Sequence, residues 1–299
     1  MTLAVVIVSY NTRELLRACL RSVYAQGGVD LQVWVVDNAS TDGSPDMVRA
    51  EFPRARLLAQ ARNLGFAAGN NVALRAIGFE GHRSDAPGAG LPQFVLFLNP
   101  DTEVLPGALA CMLEFLRVVP RAGVVGPALT YPDHSFQHSA FRFPNLWHLW
   151  FDFFPWPGRL VDSGLNGRYA PARYRAGIPF PVDHPLGAAM LARAEVIQQV
   201  GLMDESFFMY AEEIDWCMRV KRAGWEVYCV PAARIVHHAG ASTCRCRLQM
   251  TEALWRSRFR LFEKHYGPAF NLAARLLVWV CRRKEIRRAQ ADCRHSDQE

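Results

Sequence analysis

Along the first hundred residues, unbroken apolar runs alternate with stretches in which apolar residues recur every third or fourth position. LAVVIVS, residues 3–9, carries no charge and no break, as expected of a strand covered on both faces. Leu15, Leu16, Cys19, Leu20 and Val23 then fall on one helical face, with Thr12 as the expected N-cap. LQVWVVD is a second strand, and Ser44-Pro45 predicts a short helix opened by a capping serine with proline at its first position. ARLLAQ is a third, weaker strand, followed by a glycine-punctuated turn and the helical NVALRAI. The loop GHRSDAPGAGLPQ leads into FVLFL, the fourth strand. Strand and helix alternating in this way predict a largely parallel, doubly wound sheet.

The second half is more mixed. From Phe141 to Pro181 the chain is rich in aromatics and prolines, too irregular for a regular amphipathic helix and too apolar for a solvated loop. It is expected to pack over a crevice or against lipid. GAAMLA follows as a strand, then a helix from Ala194, a helix from about Ala211 that stops at Gly224, and a further strand. No internal repeat or low-complexity segment is present.

Composition narrows the classes. With 299 residues, 51% of them apolar, the chain can bury a full core. Its eight cysteines (Cys19, Cys111, Cys217, Cys229, Cys244, Cys246, Cys281, Cys293) show no C-x-x-C spacing and read as reduced, cytosolic thiols rather than a disulfide framework. Cys244 and Cys246 are close-set, but a zinc site would need further ligands. The start MTLAVVIVSYNT lacks a basic leader and its apolar run stops at Val8, so no secretory signal is read. No apolar stretch reaches the roughly 18 residues needed to span a bilayer, so a cytoplasmic location is expected.

The net charge of +6 gains meaning from its location: seven basic and two acidic residues lie between Arg275 and Arg294. A nucleic-acid binder would carry its basic footprint across the folded face as well, so nucleic acid is not an expected partner. A basic stretch after FNLAARLLVWV fits either an interfacial anchor on the cytoplasmic face of the inner membrane or a solvated helix end.

Ligands of open α/β sheets sit outside the carboxyl ends of the strands. Polar residues collect there: Ser9, Tyr10 and Asn11 after the first strand, Asp37 and Asn38 after the second, Arg62 and Asn63 after the third, Asn99 and Asp101 after the fourth. A hard divalent cation often takes one or two carboxylates plus substrate phosphates, a role that suits Asp101 helped by the Asn99 amide; a turn-forming aspartate is the plain alternative. Asp37 can accept hydrogen bonds from a ribose hydroxyl or a pyrimidine ring N–H, or build an Asx turn with Asn38 and Ser40. RNLGFAAGNN supplies Gly65 and Gly69 with Asn63, Asn70 and Asn71, small enough for close backbone approach to a phosphate, though without a Walker lysine or a G-x-G-x-x-G. Glu212 and Glu213 lie at a predicted helix start, where the dipole favours acids, and one of them can face the crevice as a general base. Asp215, further round the turn, fixes either the helix or an acceptor. His237, next to His238 and just past a strand, is placed to offer an imidazole nitrogen to a metal.

Taken in order, VVIVSYN, VVDNASTDGS, RNLGFAAGNN, LFLNPDTEV, GAAMLARAEVIQQVGLMDESFFMYAEEIDWCMRVKRAGW and VHHAGAS resemble the family-2 inverting glycosyltransferases of GT-A fold, and among them the bacterial rhamnosyltransferases. The resemblance implies an α/β fold, a GT-A type doubly wound and mostly parallel sheet with a mixed α+β acceptor-side half. It divides the chain into a nucleotide-sugar-binding half (1–130), an acceptor-side and catalytic half of the same domain (131–245) and a helical basic tail (246–299).

By the same resemblance Asp37 binds the nucleoside of the donor, with Ser9, Tyr10, Asn11, Asn38, Asn63, Gly69, Asn70 and Asn99 around the nucleotide. Asn99-Pro100-Asp101 stands where the family has its D-x-D metal motif, and His237 corresponds to a histidine that assists the metal. Glu212-Glu213 occupies the Glu-Asp motif whose second acid is the base, and Gly187, Ala188 and Asp215 face the acceptor. Two departures stand out: Asn99 replaces an acid, so one charge fewer faces the diphosphate, and Glu213 replaces aspartate, which leaves the choice of base between the two glutamates open. The implied reaction is a single inverting displacement that uses Mg2+ or Mn2+ and a nucleoside-diphosphate sugar, dTDP-L-rhamnose being the donor suggested. The implied acceptor is a glycan or lipid-linked hydroxyl in cell-surface polysaccharide assembly. Two other readings remain open, a nucleotidyltransferase and a catalytically silent nucleotide-sugar or glycan-binding subunit.

Overall fold

The apolar runs form the centre of a single mixed sheet. A computed structural model describes residues 1–79, 90–153, 164–239 and 247–281. Its strands are β1 (Thr2–Ser9), β2 (Asp30–Asp37), β3 (Arg56–Ala59), β4 (Phe94–Leu98), β5 (Thr102–Val104), β6 (Ala122–Thr130), β7 (Phe136–Gln137), β8 (Ala140–Phe141), β9 (Phe180–Pro181), β10 (His184–Pro185), β11 (Ala189–Arg193) and β12 (Glu226–His237). The helices are α1 (Arg13–Tyr24), α2 (Ser44–Glu51), α3 (Phe66–Ile77), α4 (Ala108–Val118), α5 (Leu146–Phe153), α6 (Pro171–Arg175), α7 (Ala194–Val200), α8 (Glu212–Arg222), α9 (Arg247–His265) and α10 (268–281).

The main sheet has the order β3-β2-β1-β4-β11-β6-β12-β5, and β1 to β4 run parallel. Successive residues of a strand point to opposite faces, and here both faces are covered. Leu3, Val5 and Ile7 pack with Leu16, Cys19, Leu20 and Val23 of α1 on one side, while Ala4, Val6 and Val8 pack with α3, α7 and α8 on the other. That two-sided cover is the physical reason LAVVIVS shows no polar alternation.

Three features differ from expectation. The helix after the third strand begins at Phe66, so FAAGNN is its first turns and not a loop. Its residues are small because α3 lies close on the sheet: a Cβ on Gly69 would stand 2.7 Å from a Val8 methyl. Ser44 lies inside α2 and not ahead of it; Gly43 holds the cap position, while the Ser44 N–H and hydroxyl donate to Asp42 Oδ1. The aromatic segment does contain a regular helix, α5, which buries Leu149 and Phe153 against α9 and α10.

Strand β11 runs against β4, with Ala189 beside Leu98 and Arg193 beside Phe94. Its start therefore meets the carboxyl end of β4, which delivers Gly187 and Ala188 to the sheet edge where Asp101 lies. β12 likewise runs against β5 and sets His237 opposite Thr102. Cys19, Cys111, Cys217, Cys229 and Cys281 are free thiols. Cys244, Cys246 and Cys293, and the basic run from Arg282 to Arg294, lie outside the described residues. No helix among the described residues is long and apolar enough to cross a membrane.

Candidate active site

Parallel register aligns the first three strand ends, because Ser9 pairs with Asp37 and Asp37 with Ala59. Asn11 and Ala39, just past two of those ends, take left-handed backbone angles (φ 52° and 63°), a conformation that side chains other than glycine seldom adopt and that clusters at functional sites. The two turns are stitched together. Asn11 N–H donates to Ser40 Oγ at 2.9 Å, and Thr41 N–H donates to Asn11 Oδ1 at 2.8 Å. Asp37 Oδ2 accepts the Ser40 N–H at 3.0 Å, the expected Asx turn, while its Oδ1 is buried with no hydrogen-bond partner. One carboxylate oxygen thus builds the turn and the other is left without a protein donor. Tyr10 is largely exposed beside it, and Ser9 is fully buried with its hydroxyl on Thr12.

Asn38 and Asn63, past the second and third strands, hold the loop that leads into α3. Asn38 Nδ2 donates to the Gly65 carbonyl at 3.1 Å, and Asn63 Oδ1 accepts the Gly65 N–H at 2.9 Å. Gly69 and Asn70 were expected to approach a phosphate, and the helix corrects this. Gly69 is covered by Val8, and Asn70 is fully buried with its amide donating to the Phe66 carbonyl. Gly65 is the glycine that geometry demands, with φ 83° and the Phe208 carbonyl oxygen 2.2 Å from where a Cβ would be.

Asp101 and His237, 136 positions apart in the chain, meet at the other end of this edge. His237 Nε2 stands 3.5 Å from Asp101 Oδ1, beyond ordinary hydrogen-bond range, and that oxygen is buried without a hydrogen-bond partner. His237 Nδ1 lies 3.2 Å from Gln137 Oε1. With that oxygen as acceptor, Nδ1 carries the proton and the Nε2 lone pair faces the carboxylate. Two electron-rich atoms facing each other in a buried site are the donor set of a divalent cation, and in this respect the residues fit one. Among the described residues no cluster of three or more His, Cys, Asp or Glu stands in ligand geometry, so a cation held here would draw the rest of its shell from a ligand and water. His238 takes no part; its ring bonds Glu103 at 2.7 Å. The Asn99 N–H donates to the Ala188 carbonyl at 2.9 Å, tying the strand end to β11.

The glutamate pair opens α8 after an unusual approach. Tyr210 and Ala211 both hold left-handed angles (φ 69° and 67°), which costs on the order of 1 kcal/mol or more for each. The segment is pinned from both sides: the Phe208 carbonyl accepts the Phe66 N–H at 2.8 Å, and Ser257 Oγ donates to the Met209 carbonyl at 2.7 Å. The bend separates the two acids. Glu212 is 5% exposed with a buried, unpartnered Oε2, while the Glu213 side chain lies over Gly187, its Cδ 3.7 Å from where a glycine Cβ would stand. Burial, then the charge of Glu213, raises the Glu212 carboxyl well above the usual range. Burial pushes Glu213 up to about 7.

Asp215 requires a correction. Its side chain is fully buried and enclosed by Arg219 Nε at 3.0 Å, Lys264 Nζ at 2.7 Å and His265 Nε2 at 2.6 Å. Burial opposes its charge, but the bonds from Lys264 and His265 outweigh that and hold the carboxyl below the usual range. It therefore fixes α8 to α9 and does not reach an acceptor. Glu213, by contrast, lines a cavity of about 280 Å³ bounded by α5, α9 and residues 141, 142, 144, 166–168, 210, 211 and 214. Sequence reasoning missed the arginines of this cavity, Arg142, Arg168 and Arg258, and missed Gln137; no local pattern marks them, because each is brought in by tertiary packing.

Acids and amides thus line one edge of the α/β sheet, and a half-buried glutamate faces a separate cavity. The chain matches the model of glycosyl transferase family 2 over residues 4–159 and that of glycosyl transferase family group 2 over residues 94–290. It is 31% identical over 278 residues to the N-acetylglucosaminyl-diphospho-decaprenol L-rhamnosyltransferase of Mycobacterium tuberculosis, covering 89% of this chain and 85% of that protein. To the rhamnosyltransferase WbbL of Escherichia coli K12 it is 26% identical over 180 residues, 58% of this chain and 61% of that one. In fold it is similar to the mannosyltransferase PcManGT from Pyrobaculum calidifontis in complex with GDP-Man and Mn2+, with a TM-score of 0.58 at 19% identity over 91% of this chain and 68% of that one. The chain belongs to glycosyl transferase family 2, close to the rhamnosyltransferases, and is a glycosyltransferase.

Proposed function

We propose that this protein transfers a sugar, L-rhamnose in the first instance, from a nucleoside-diphosphate donor to a hydroxyl of a glycan or lipid-linked acceptor in cell-surface polysaccharide assembly. The observation that carries this is the placement of Glu213. It faces its own cavity, yet it packs on Gly187, whose neighbour Ala188 accepts the N–H of Asn99 beside Asp101. A base on one side and an anion-handling edge on the other are thereby held by one short strand start.

Each residue has a distinct task in this proposal. Asp37 offers its unpartnered oxygen to the nucleoside, with Ser9, Tyr10, Asn11, Asn38 and Asn63 shaping that pocket and Asn99 beside the diphosphate. Asp101 and His237 would hold Mg2+ or Mn2+, which when bound neutralises the charge growing on the departing diphosphate. Glu213 takes the proton of the acceptor hydroxyl as the oxygen attacks the anomeric carbon, and the configuration inverts. Glu213 is favoured over Glu212 because it lines the cavity while Glu212 is enclosed. Gly187 and Ala188 leave room for the acceptor.

The division into a donor half (1–130), an acceptor half (131–245) and a helical tail (246–299) belongs to the same proposal. So does attachment to the cytoplasmic face of the inner membrane through α10, which exposes Leu272, Leu276, Trp279 and Val280 just ahead of the basic run. The test is release of nucleoside diphosphate from thymidine and uridine diphosphate sugars, with and without acceptor. Release that requires acceptor and a divalent cation is expected. Donor binding without release would indicate a silent subunit instead.

A further inference from the structure

The segment that leads to the two glutamates is held by a helix on either side. From α3, the Asn71 amide donates to the Met203 carbonyl at 2.8 Å and its oxygen accepts the Met203 N–H at 3.0 Å, Arg75 pairs with Glu205 at 2.6 Å, and the Phe66 N–H reaches the Phe208 carbonyl. From α9, Arg260 bonds Ser206, Lys264 bonds Asp204 and Asp215, His265 bonds Asp215, and Ser257 Oγ donates to the Met209 carbonyl at 2.7 Å. Ser257, Arg260, Lys264 and His265 recur at helical spacing, so one face of α9 is given over to residues 204–215.

Ser257 differs from its neighbours on that face. Arg260 and Lys264 meet Ser206 and Asp204 where solvent has access, and such contacts contribute little, whereas Ser257 is 6% exposed. A hydroxyl inside a helix commonly turns back to a carbonyl of the preceding turn. This one leaves its helix for the carbonyl that comes immediately before Tyr210 and Ala211, the two left-handed residues.

The consecutive carbonyls of Phe208 and Met209 are thus held by different helices, α3 and α9, which fixes the peptides on both sides of Met209. Strained backbone persists only where its surroundings over-determine it. Directly after the strained pair the chain enters α8, with Glu213 over Gly187. A turn that loses one of its pins has left-handed strain to release, and the release carries Glu213 with it.

We propose that Ser257 is a positioning residue for Glu213: its hydroxyl holds the turn that sets the carboxylate against the acceptor hydroxyl, which makes α9 a working part of the site and not only of a tail. This rests on the reading of Glu213 as the base. The experiment uses the full chain with excess Mg2+, dTDP-L-rhamnose as donor and an alkyl-diphosphate-linked N-acetylglucosamine as acceptor probe. It compares Ser257→Thr with Ser257→Val, which share a shape and differ in the hydroxyl.

The threonine variant is expected to exceed the valine variant in kcat by about tenfold to a hundredfold, with the KM of donor and acceptor equal in the two. Ser257→Ala, which adds no bulk, should behave as the valine variant. In a Glu213→Gln background the threonine and valine variants should turn over alike, because misplacing a base costs nothing once the base is gone. Amide exchange over residues 208–214 should be faster in the valine variant than in the threonine variant, a readout that needs no acceptor. Equal kcat for the pair, a difference of the same size in both backgrounds, or equal exchange would overturn the role of Ser257 and leave Glu213 as the base. Full turnover by Glu213→Gln alone, or no transfer by the wild type, would overturn the proposed function and this inference with it.

Discussion

Replacing Glu213 with glutamine should make the protein more stable and nearly inactive, a combination that a structural carboxylate would not give. Folding raises this carboxyl from the ordinary 4.5 to about 7. Between those values the unfolded chain has released the proton while the folded protein keeps it, so stability falls as pH rises through this window, and above pH 7 the folded state bears the full penalty. That penalty is about 3 kcal/mol. Glutamine keeps the shape without the charge, and it also relieves Glu212, whose own rise owes its second-largest part to Glu213. Thermal unfolding of Glu213→Gln should therefore show a midpoint about 5 °C above wild type at pH 8 and a much smaller gain at pH 5. In the transfer assay, kcat/KM of the wild type should fall below about pH 7 as the base takes up its proton. The variant should lose about a hundredfold to ten-thousandfold and have no such acid limb. A variant less stable than wild type at pH 8, or one that keeps the acid limb, would refute this account of the site.

Asp101→Ala should bring transfer down by about a hundredfold or more and weaken Mn2+ binding measured by electron paramagnetic resonance in the presence of donor, with the unfolding midpoint little changed; an undiminished turnover number would reject the metal role. Asp215→Ala leaves Arg219, Lys264 and His265 without their shared anion and should cost about 3 kcal/mol above pH 4, with the acceptor KM unchanged; a raised acceptor KM at unchanged stability would restore Asp215 to the acceptor site. The contribution of Asp215 fades as pH falls through its depressed carboxyl range, so the variant and the wild type should converge in strong acid. His184, held down to about 4, favours the fold while neutral, so stability should drop as pH falls from 6.5 toward 4; His184→Phe should flatten that slope by about 3 kcal/mol in urea titrations, and an unaltered slope would contradict the burial argument.

The polar edge of the sheet was legible because parallel strands covered on both faces write themselves as apolar runs, and each run ends abruptly on polar residues. Ser9, Asp37 and Asp101 could be placed from that alone, and Glu212-Glu213 from a helix start. What was hidden is tertiary in origin. FAAGNN reads as a loop because its residues are small, yet they are small so that α3 can lie against Val8. Asp215 looks like a candidate for the crevice until Lys264 and His265 arrive from about 50 positions away. The direction of β11 leaves no trace in GAAMLA, although it decides that Gly187 meets Glu213 while Ala188 meets the Asn99 strand end. The proton on His237 depends on Gln137, 100 residues upstream.

The reversal of β11 has an engineering consequence. β6 and β11 are antiparallel neighbours, Val125 facing Leu191, so the long excursion from Thr130 to Ala189 leaves and re-enters the sheet on one rim. Apart from the short β7 and β9, which pair with β6 and β12, such a segment has both roots side by side, and its content can change without sliding β1 to β4 out of register. On the division proposed above, grafting residues 131–187 from another transferase of this kind, with Gln137 kept beside His237, would exchange most of the acceptor surface and leave the nucleotide side to the host.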